Sequence, residues 1–216
     1  MGKKIVLIGA GGFGKEVAQI IERINRREQT YELIGFLDDG RQFHTGSVIN
    51  GYPWLGDSSW ILAHKDEIVC NCTIGNASVK AAIQRRLAEQ GVRFETILAT
   101  TAQIASYSQV GVGCVFYGNV SISVNCTVGD GVLLNEGVKV GHDAVIGDYT
   151  CIMPGTGISG GCAIGHEVDI GGHAFIVPGK KVGDKARIAA GSIVFSNVRA
   201  GTTVLGNPAK RMRELE

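Results

Sequence analysis

Residues 140–176 read VGHDAVIGDYTCIMPGTGISGGCAIGHEVDIGGHAFI, and an aliphatic side chain returns at every sixth place: Val140, Ile146, Ile152, Ile158, Ile164, Ile170 and Ile176. The same step holds outward to Ile104, Val110, Phe116, Ile122, Val128 and Leu134 on one side, and to Val182, Ile188 and Val194 on the other. Glycine follows the anchor directly at 111, 129, 141, 147, 165, 171 and 183. Four places after the anchor the residue is small at Ser108, Cys114, Cys126, Ala144, Thr150, Thr156, Cys162, Ala174, Ala186 and Ser192, and Val fills most of the rest. A six-residue unit is one short strand and one turn, so three units make a triangular coil of about 18 residues with each anchor pointing inward. Coils stacked through parallel strand bonds, roughly 4.8 Å apart, give a prism about 25 Å tall. Such a coil has no lateral edges, and only its ends need cover. Lys180 stands where a small residue is expected, which predicts an open corner or a displaced chain there.

The composition agrees. The 216 residues include 32 Gly and 4 Pro, with 6% aromatics, and the glycines do not recur at every third place as in collagen. Glycine this dense in a fairly apolar chain implies many tight turns. A formal charge of +1 gives no footing for nucleic-acid or polybasic membrane binding. The apolar run after Lys3-Lys4 is too short for a signal peptide and leads into a glycine loop, and no stretch has the length and apolarity of a membrane span. The six cysteines form no CxxC pair and no zinc spacing, and Cys114, Cys126 and Cys162 share one repeat position, so a reduced, cytoplasmic protein is expected.

The front of the chain follows different rules. Lys4–Ala10 reads as a buried strand, Gly9-Ala-Gly-Gly-Phe-Gly14 as a loop, and Lys15–Arg27 as a helix with Val17, Ile20, Ile21 and Ile24 on one face. A strand over Tyr31–Leu37 ends in Asp38-Asp39, another over Glu67–Ile74 ends in Gly75-Asn76, and a helix to about Glu89 and a strand over Arg93–Leu98 complete a Rossmann-like half. Gly9, Gly11 and Gly14 fit GxGxxG, with the acidic pair about twenty-five residues later. Such glycines let backbone N–H groups at a helix N-terminus approach phosphate, although a tight turn with no ligand would look the same. Too little chain is present for a full dinucleotide fold with a separate substrate domain. The expected organisation is an α/β, Rossmann-like sugar-nucleotide-binding unit at 1–98 and a parallel β-helix with its tail at 99–216.

Residues 104–199 resemble the hexapeptide-repeat acyltransferases, and Gly206-Asn-Pro-Ala-Lys210 is similar to that family's tail. The resemblance implies a left-handed parallel β-helix (hexapeptide repeat), a homotrimer, and acetyl-CoA as co-substrate with no metal. Together with the glycine loop, Gly35-Phe-Leu-Asp-Asp39, Gly51-Tyr-Pro-Trp-Leu-Gly56, Ile74-Gly-Asn76 and Asn135 to Gly147, nearly the whole chain resembles bacterial sugar acetyltransferases of the bacillosamine and perosamine pathways and the sialic acid O-acetyltransferase group. That implies a nucleotide-linked sugar held by Gly11, Gly12, Phe13, Asp38, Asp39 and Gly75. It implies His142 as general base, Asp143 as the acid that raises its basicity, and Asn135 as a positioning residue. It places CoA in the groove between neighbouring β-helices, towards the C-terminal coils, at Gly160, Gly172 and Ala190. Nine residues after the base some members have a histidine that touches CoA, and here that place is Cys151.

The chemistry suits these residues. Acyl transfer from a thioester needs a base on the attacking amine or hydroxyl, and an imidazole titrating near neutrality serves. Glycine-rich turns can supply N–H donors to the oxyanion. A corner histidine bonded only to backbone would also place His142 where it is. His44 and His64 read as solvated. Cys151 is the one cysteine to consider as a nucleophile, and no activating partner is legible. A γ-class carbonic anhydrase also uses a trimeric β-helix, but hexad counting puts His142, His166 and His173 on three different faces, so zinc catalysis is disfavoured, as is a non-enzymatic scaffold. The acceptor expected is an amino sugar on a nucleotide, with a hydroxyl of sialic acid as the alternative.

Overall fold

The computed structural model describes residues 2–40 and 43–212, so Met1 of the expected first unit and residues 213–216 of the second lie outside the described residues. The front unit runs β1 (Lys3–Ile8), α1 (Gly12–Asn25), β2 (Tyr31–Leu37), β3 (Val48–Ile49), β4 (Tyr52–Gly56), β5 (Val69–Cys72) and α2 (Ala77–Glu89). Its sheet has the order β3-β4-β2-β1-β5, and β1 pairs in parallel with both β2 and β5. Ile5 to Ile8 on the central β1 are buried, as expected of a parallel strand covered on both faces. α1 buries Val17, Ala18, Ile20 and Ile21 against it. The side chain of Asn76 caps α2 by accepting from the Val79 N–H at 3.0 Å. The β3–β4 hairpin turns at Asn50-Gly51, both at positive φ, the residue pair that such a two-residue turn favours.

The strand expected over Arg93–Leu98 divides between the two units. Phe94 bridges to Cys70 at the edge of the front sheet. Ile97–Leu98 instead pairs with Val115–Phe116 as the first rung of the β-helix.

The left-handed β-helix then runs in two-residue strands with a register of one coil. Ile146 lies on Ile164 and Ile164 on Val182. Fourteen of the anchors, from Phe116 to Val194, are buried. Ile104 is the exception, 36% exposed because the first coil has no coil above it on that face, and Val110 is only partly buried.

Two glycine series in the coil have two causes. Three places after each anchor the backbone is left-handed, with φ between 55 and 70° from Tyr107 to Gly191 in steps of six. The hexad turns its corner there. Non-glycine residues at that place, Asp143 and His173 among them, bear the strain. The glycines directly after the anchors are not left-handed. A Cβ on Gly147 would approach the Gly165 carbonyl carbon to 2.6 Å, so these positions are small because the next coil's backbone lies against them. The small residues four places after the anchor fill the inner corner. Several also bond the coil below: the Thr150 hydroxyl donates to the Gly165 carbonyl at 2.8 Å and the Cys126 thiol to the Gly141 carbonyl at 3.1 Å. At Lys180 the corner is neither opened nor displaced. Its carbonyl still accepts from the Ala163 N–H at 2.9 Å, and only the side chain is driven outward.

The front unit packs on the one face of the prism that carries Ile97, Val115, Leu133 and Cys151 outward, and all four are buried there. Docking through α2 is polar. Lys80, buried to 2% exposure, donates to the Cys151 sulfur at 3.2 Å, and Arg85 pairs with the buried Glu167 at 2.8 Å while lying 4.6 Å over the Tyr149 ring. No helix among the described residues is long and apolar enough to cross a membrane.

Ile164 and Ile104 hold the same place in the repeat but not in the core. Ile164→Ala should destabilise the protein by about 2–5 kcal/mol, and Ile104→Ala by less than about 1 kcal/mol. Urea unfolding of the two variants checks this, and equal losses would mean that the first coil is enclosed.

Candidate active site

The glycine loop opens on a cavity of about 570 Å³ lined by all six residues expected to hold a nucleotide: Gly11, Gly12, Phe13, Asp38, Asp39 and Gly75. Ile74, Val79 and Ile83 form its apolar wall. The loop's glycines divide their labour. Gly9, at φ 107°, makes the turn. Gly14 has no room for a Cβ because the Gly9 carbonyl lies against it. Gly11, Gly12 and Gly75 would meet nothing within 4 Å, so nothing in the protein itself excludes a side chain at these three places. They are bare toward the cavity.

The acidic pair is already engaged. Asp38 accepts from the Ala10 N–H and the Gly40 N–H, each at 2.8 Å, and so ties the glycine loop to the end of β2. Asp39 accepts from the Ser58 N–H at 2.6 Å and the Ser58 hydroxyl at 3.0 Å, with Arg86 at 4.0 Å.

Asn135 lies elsewhere, in a second cavity of about 700 Å³ between α1 and the coil, with Lys15, Glu16, Arg23, Tyr117 and Glu136. The Phe13 ring, which lines the first cavity, stacks on Tyr117 of the second at 6.0 Å between centroids. The sequence reading missed Glu16, Tyr117 and Glu136. The polar positions 15, 16, 19 and 23 of α1 do share one helix face, but nothing in the sequence says that this face meets the coil.

His142 and Asp143 stand on an exposed corner. The His142 Nδ1 lies 2.7 Å from the Asp143 carboxylate, which also accepts from the Asn125 side chain at 3.3 Å. Facing a carboxylate, Nδ1 carries the proton and leaves the Nε2 lone pair free. Those two hydrogen bonds, that of His142 first, hold the Asp143 carboxyl below its ordinary range. The ring lies over Gly160, where a Cβ would come within 2.5 Å of Nε2, so this glycine is the floor beneath the imidazole. Asn135 and His142 stand at opposite ends of the Lys139–Val140 rung and are not brought together within the chain.

The other histidines differ. His166 is tied through Nδ1 to Asp148 one coil earlier, 3.0 Å from its backbone N–H and 3.2 Å from its carboxylate. His173 occupies a third corner, against Gly155. His64, expected to be solvated, is half-buried and stacked on Trp60 at 3.7 Å, with Nδ1 2.9 Å from the Trp60 carbonyl. His44 is exposed.

Of the positions expected to meet CoA, Gly172 lies beside the Pro154 carbonyl, and Ala190 lines a shallow cavity of about 320 Å³ with Met153, Asp169 and Arg187. Cys151 corrects the expectation. Its side chain is fully enclosed beneath α2, and burial pushes its thiol pKa up despite the nearby Lys80, so it is available neither as a nucleophile nor as a side-chain contact to an outside ligand.

Residues 4–87 match the PglD N-terminal domain, and residues 125–160 match the bacterial transferase hexapeptide (six repeats). The chain is 30% identical to GDP-perosamine N-acetyltransferase of Escherichia coli O157:H7, over 96% of this chain and 95% of that one. It is 30% identical to the acetyltransferase domain of PglB from Neisseria gonorrhoeae FA1090, solved in complex with acetyl coenzyme A, with a TM-score of 0.88 over 98% of this chain and 100% of that one. PerB from Caulobacter crescentus, solved with CoA and GDP-perosamine, shares the fold with a TM-score of 0.87 at 21% identity, over 97% of each chain.

The His142–Asp143 hydrogen bond has a titration signature. In carbon-detected NMR the Asp143 carboxyl should titrate below the ordinary 3.8, and in His142→Ala it should move back toward that value because the larger of its two lowering partners is gone. A carboxyl titrating normally in the wild type would dissolve the pair.

Proposed function

The chain belongs to the family of sugar N-acetyltransferases that includes GDP-perosamine N-acetyltransferase and the PglB acetyltransferase domain, and we propose that it moves the acetyl group of acetyl-CoA onto the amino group of a nucleotide-linked sugar. The observation that carries the reading is the His142 imidazole, held by the Asp143 carboxylate 2.7 Å from its Nδ1, so that Nε2 is the ring nitrogen left to act. In this reading Nε2 takes the proton of the amine as its nitrogen attacks the thioester carbon. The carbon–sulfur bond of the tetrahedral intermediate then breaks, and the products are the N-acetyl sugar and CoA thiol. Asp143 stabilises the imidazolium formed on the way.

The nucleotide is assigned to the cavity of Gly11, Gly12 and Gly75, where the bare backbone at the start of α1 suits a diphosphate. Asp38 acts mainly by holding that loop, since its carboxylate is spent on Ala10 and Gly40. Acetyl-CoA is assigned to the coil, running past Gly160, Gly172 and Ala190. Gly160 beneath the His142 ring would bring the thioester to the base. The six cysteines are free thiols, which fits the reducing cytoplasm as the place of work.

We assign the working form to a homotrimer because the two halves of the site do not meet in one chain. The acceptor cavities open at the Asn135 corner, and His142 stands one prism face away. The front unit covers one face of the prism, and the two others, with Val145 and Phe175 exposed on them, are free to meet a neighbouring copy. His142 of one copy then serves the acceptor held by the next.

Three measurements test this. His142→Ala should lower kcat for acetyl transfer to GDP- or UDP-linked 4-amino sugars by about 10²–10⁴-fold, with the Kd for acetyl-CoA little changed, and near-normal turnover would remove the base. Gly12→Val should raise KM for the nucleotide sugar and leave the melting temperature and the acetyl-CoA Kd alone, because a side chain there meets only the cavity. Reassembled mixtures of the inactive variants His142→Ala and Gly12→Trp should recover activity at about a quarter of their sites, whereas a site built within one chain would recover none.

A further inference from the structure

We propose that the cavity between α1 and the coil is the amine-recognition pocket of this enzyme, in which the Glu16 carboxylate, bonded by the Tyr117 hydroxyl, and the Glu136 carboxylate on the same cavity wall hold the acceptor's ammonium and select an amino sugar over the corresponding hydroxy sugar. The inference rests on the acceptor site proposed above and gives a role in it to Glu16, Tyr117 and Glu136.

Tyr117 is the fixed point. It is 7% exposed, its ring is held by Phe13, and its hydroxyl donates to one oxygen of Glu16 at 2.7 Å. Burial, that hydrogen bond and the charges of Glu16 and Glu136 all push its pKa up, so at neutral pH the hydroxyl keeps its proton and donates it to Glu16. Glu136 is anchored in turn by the Asn119 side chain, which donates at 2.8 Å to one of its oxygens, while the other lies over Gly118, where a Cβ would come within 3.0 Å. Glu16 and Glu136 are both solvent-exposed, and among the described residues neither makes an ion pair, although Lys15 and Arg23 line the same cavity. The cavity therefore offers two anchored carboxylates, each with an oxygen to spare and no cation of the protein's own upon it. An ammonium brings three donors and a positive charge to such a place, and a sugar hydroxyl brings one donor and no charge.

The location is right for the reacting end of a nucleotide sugar. The Phe13–Tyr117 stack joins this cavity to the glycine-loop cavity across the first turn of α1, so a nucleotide in one places its sugar in the other. The carboxylates stabilise the charged ground state of the amine, which must lose a proton before it attacks. Their contribution accordingly belongs to binding and not to the chemical step.

The test compares wild type, Glu16→Gln, Glu136→Gln and the double variant with two probes, GDP-perosamine and its 4-hydroxy counterpart GDP-rhamnose, and repeats the comparison with the UDP-linked pair if the wild type turns over only that. Glutamine keeps the size and removes the charge at exposed positions, and melting temperatures should stay at the wild-type value. The double variant should lose about 10–100-fold in affinity for the amino sugar, with affinity for the hydroxy sugar unchanged and KM rising without a matching fall in kcat. Equal loss for both probes, or no loss for either, overturns the pocket. Turnover of the amino sugar by the wild type is the separate control: if no nucleotide-linked amino sugar is acetylated at all, the acceptor reading itself fails and this inference with it.

Discussion

The structure depends on a left-handed corner that returns every six residues. At φ near 60° the chain turns sharply enough for three short strands to close a triangle, and one coil later each strand lies in register on its predecessor. Everything else in the coil is a consequence. Inward anchors are apolar, a glycine after the anchor leaves room for the next coil's backbone, and the inner corner takes Ala, Cys, Ser, Thr or Val everywhere but at Lys180. The corners are also the places where side chains stand clear of the prism, and it is at one of them that Asp143 takes up the left-handed backbone and turns its carboxylate to His142. The strain of an αL aspartate is offset by the hydrogen bond with His142 and by a bond from Asn125, itself at the equivalent corner one coil above.

The second constraint is the attachment of the front unit. Apolar contacts of Ile97, Val115 and Leu133 with the sheet and α1 supply the area, at about 1.5–3 kcal/mol for each large side chain buried. The polar contacts of α2 and β5 supply the register. Lys80 on Cys151, Arg85 on Glu167 and the Asn71 amide on the carbonyls of Glu95, Gly113 and Cys114 fix which coil faces which helix turn. That register decides that the glycine loop and the Asn135 corner open side by side, and that α1 forms the wall between them.

Division of the site follows from these two constraints. One face of the triangular prism is occupied by the chain's own front unit, and His142, at the far end of the Lys139–Val140 rung, stands apart from the cavities beside α1. A repeated corner can present a side chain at any coil, but it cannot bring that side chain to another corner of the same coil.

The repeat was legible because its information is local. Each hexad carries its own anchor, its own corner and its own small residue, so period alone locates the coil, the buried anchors and the faces on which His142, His166 and His173 fall. The glycine loop was legible for the same reason, and so were His142 and Asp143, neighbours in the chain. What only the tertiary structure decided lies between residues far apart. The Lys80–Cys151 contact spans 71 residues and that of Glu16 with Tyr117 spans 101. Neither follows any period, because polar side chains that dock one unit on another leave no apolar pattern to read. Period likewise gives no sign that Cys151 is enclosed, that Asp38 is spent on its own loop, that Ile104 lacks a coil above it, or that Lys180 leaves its corner intact. Those outcomes depend on what lies across the fold, and a six-residue pattern records only what lies along it.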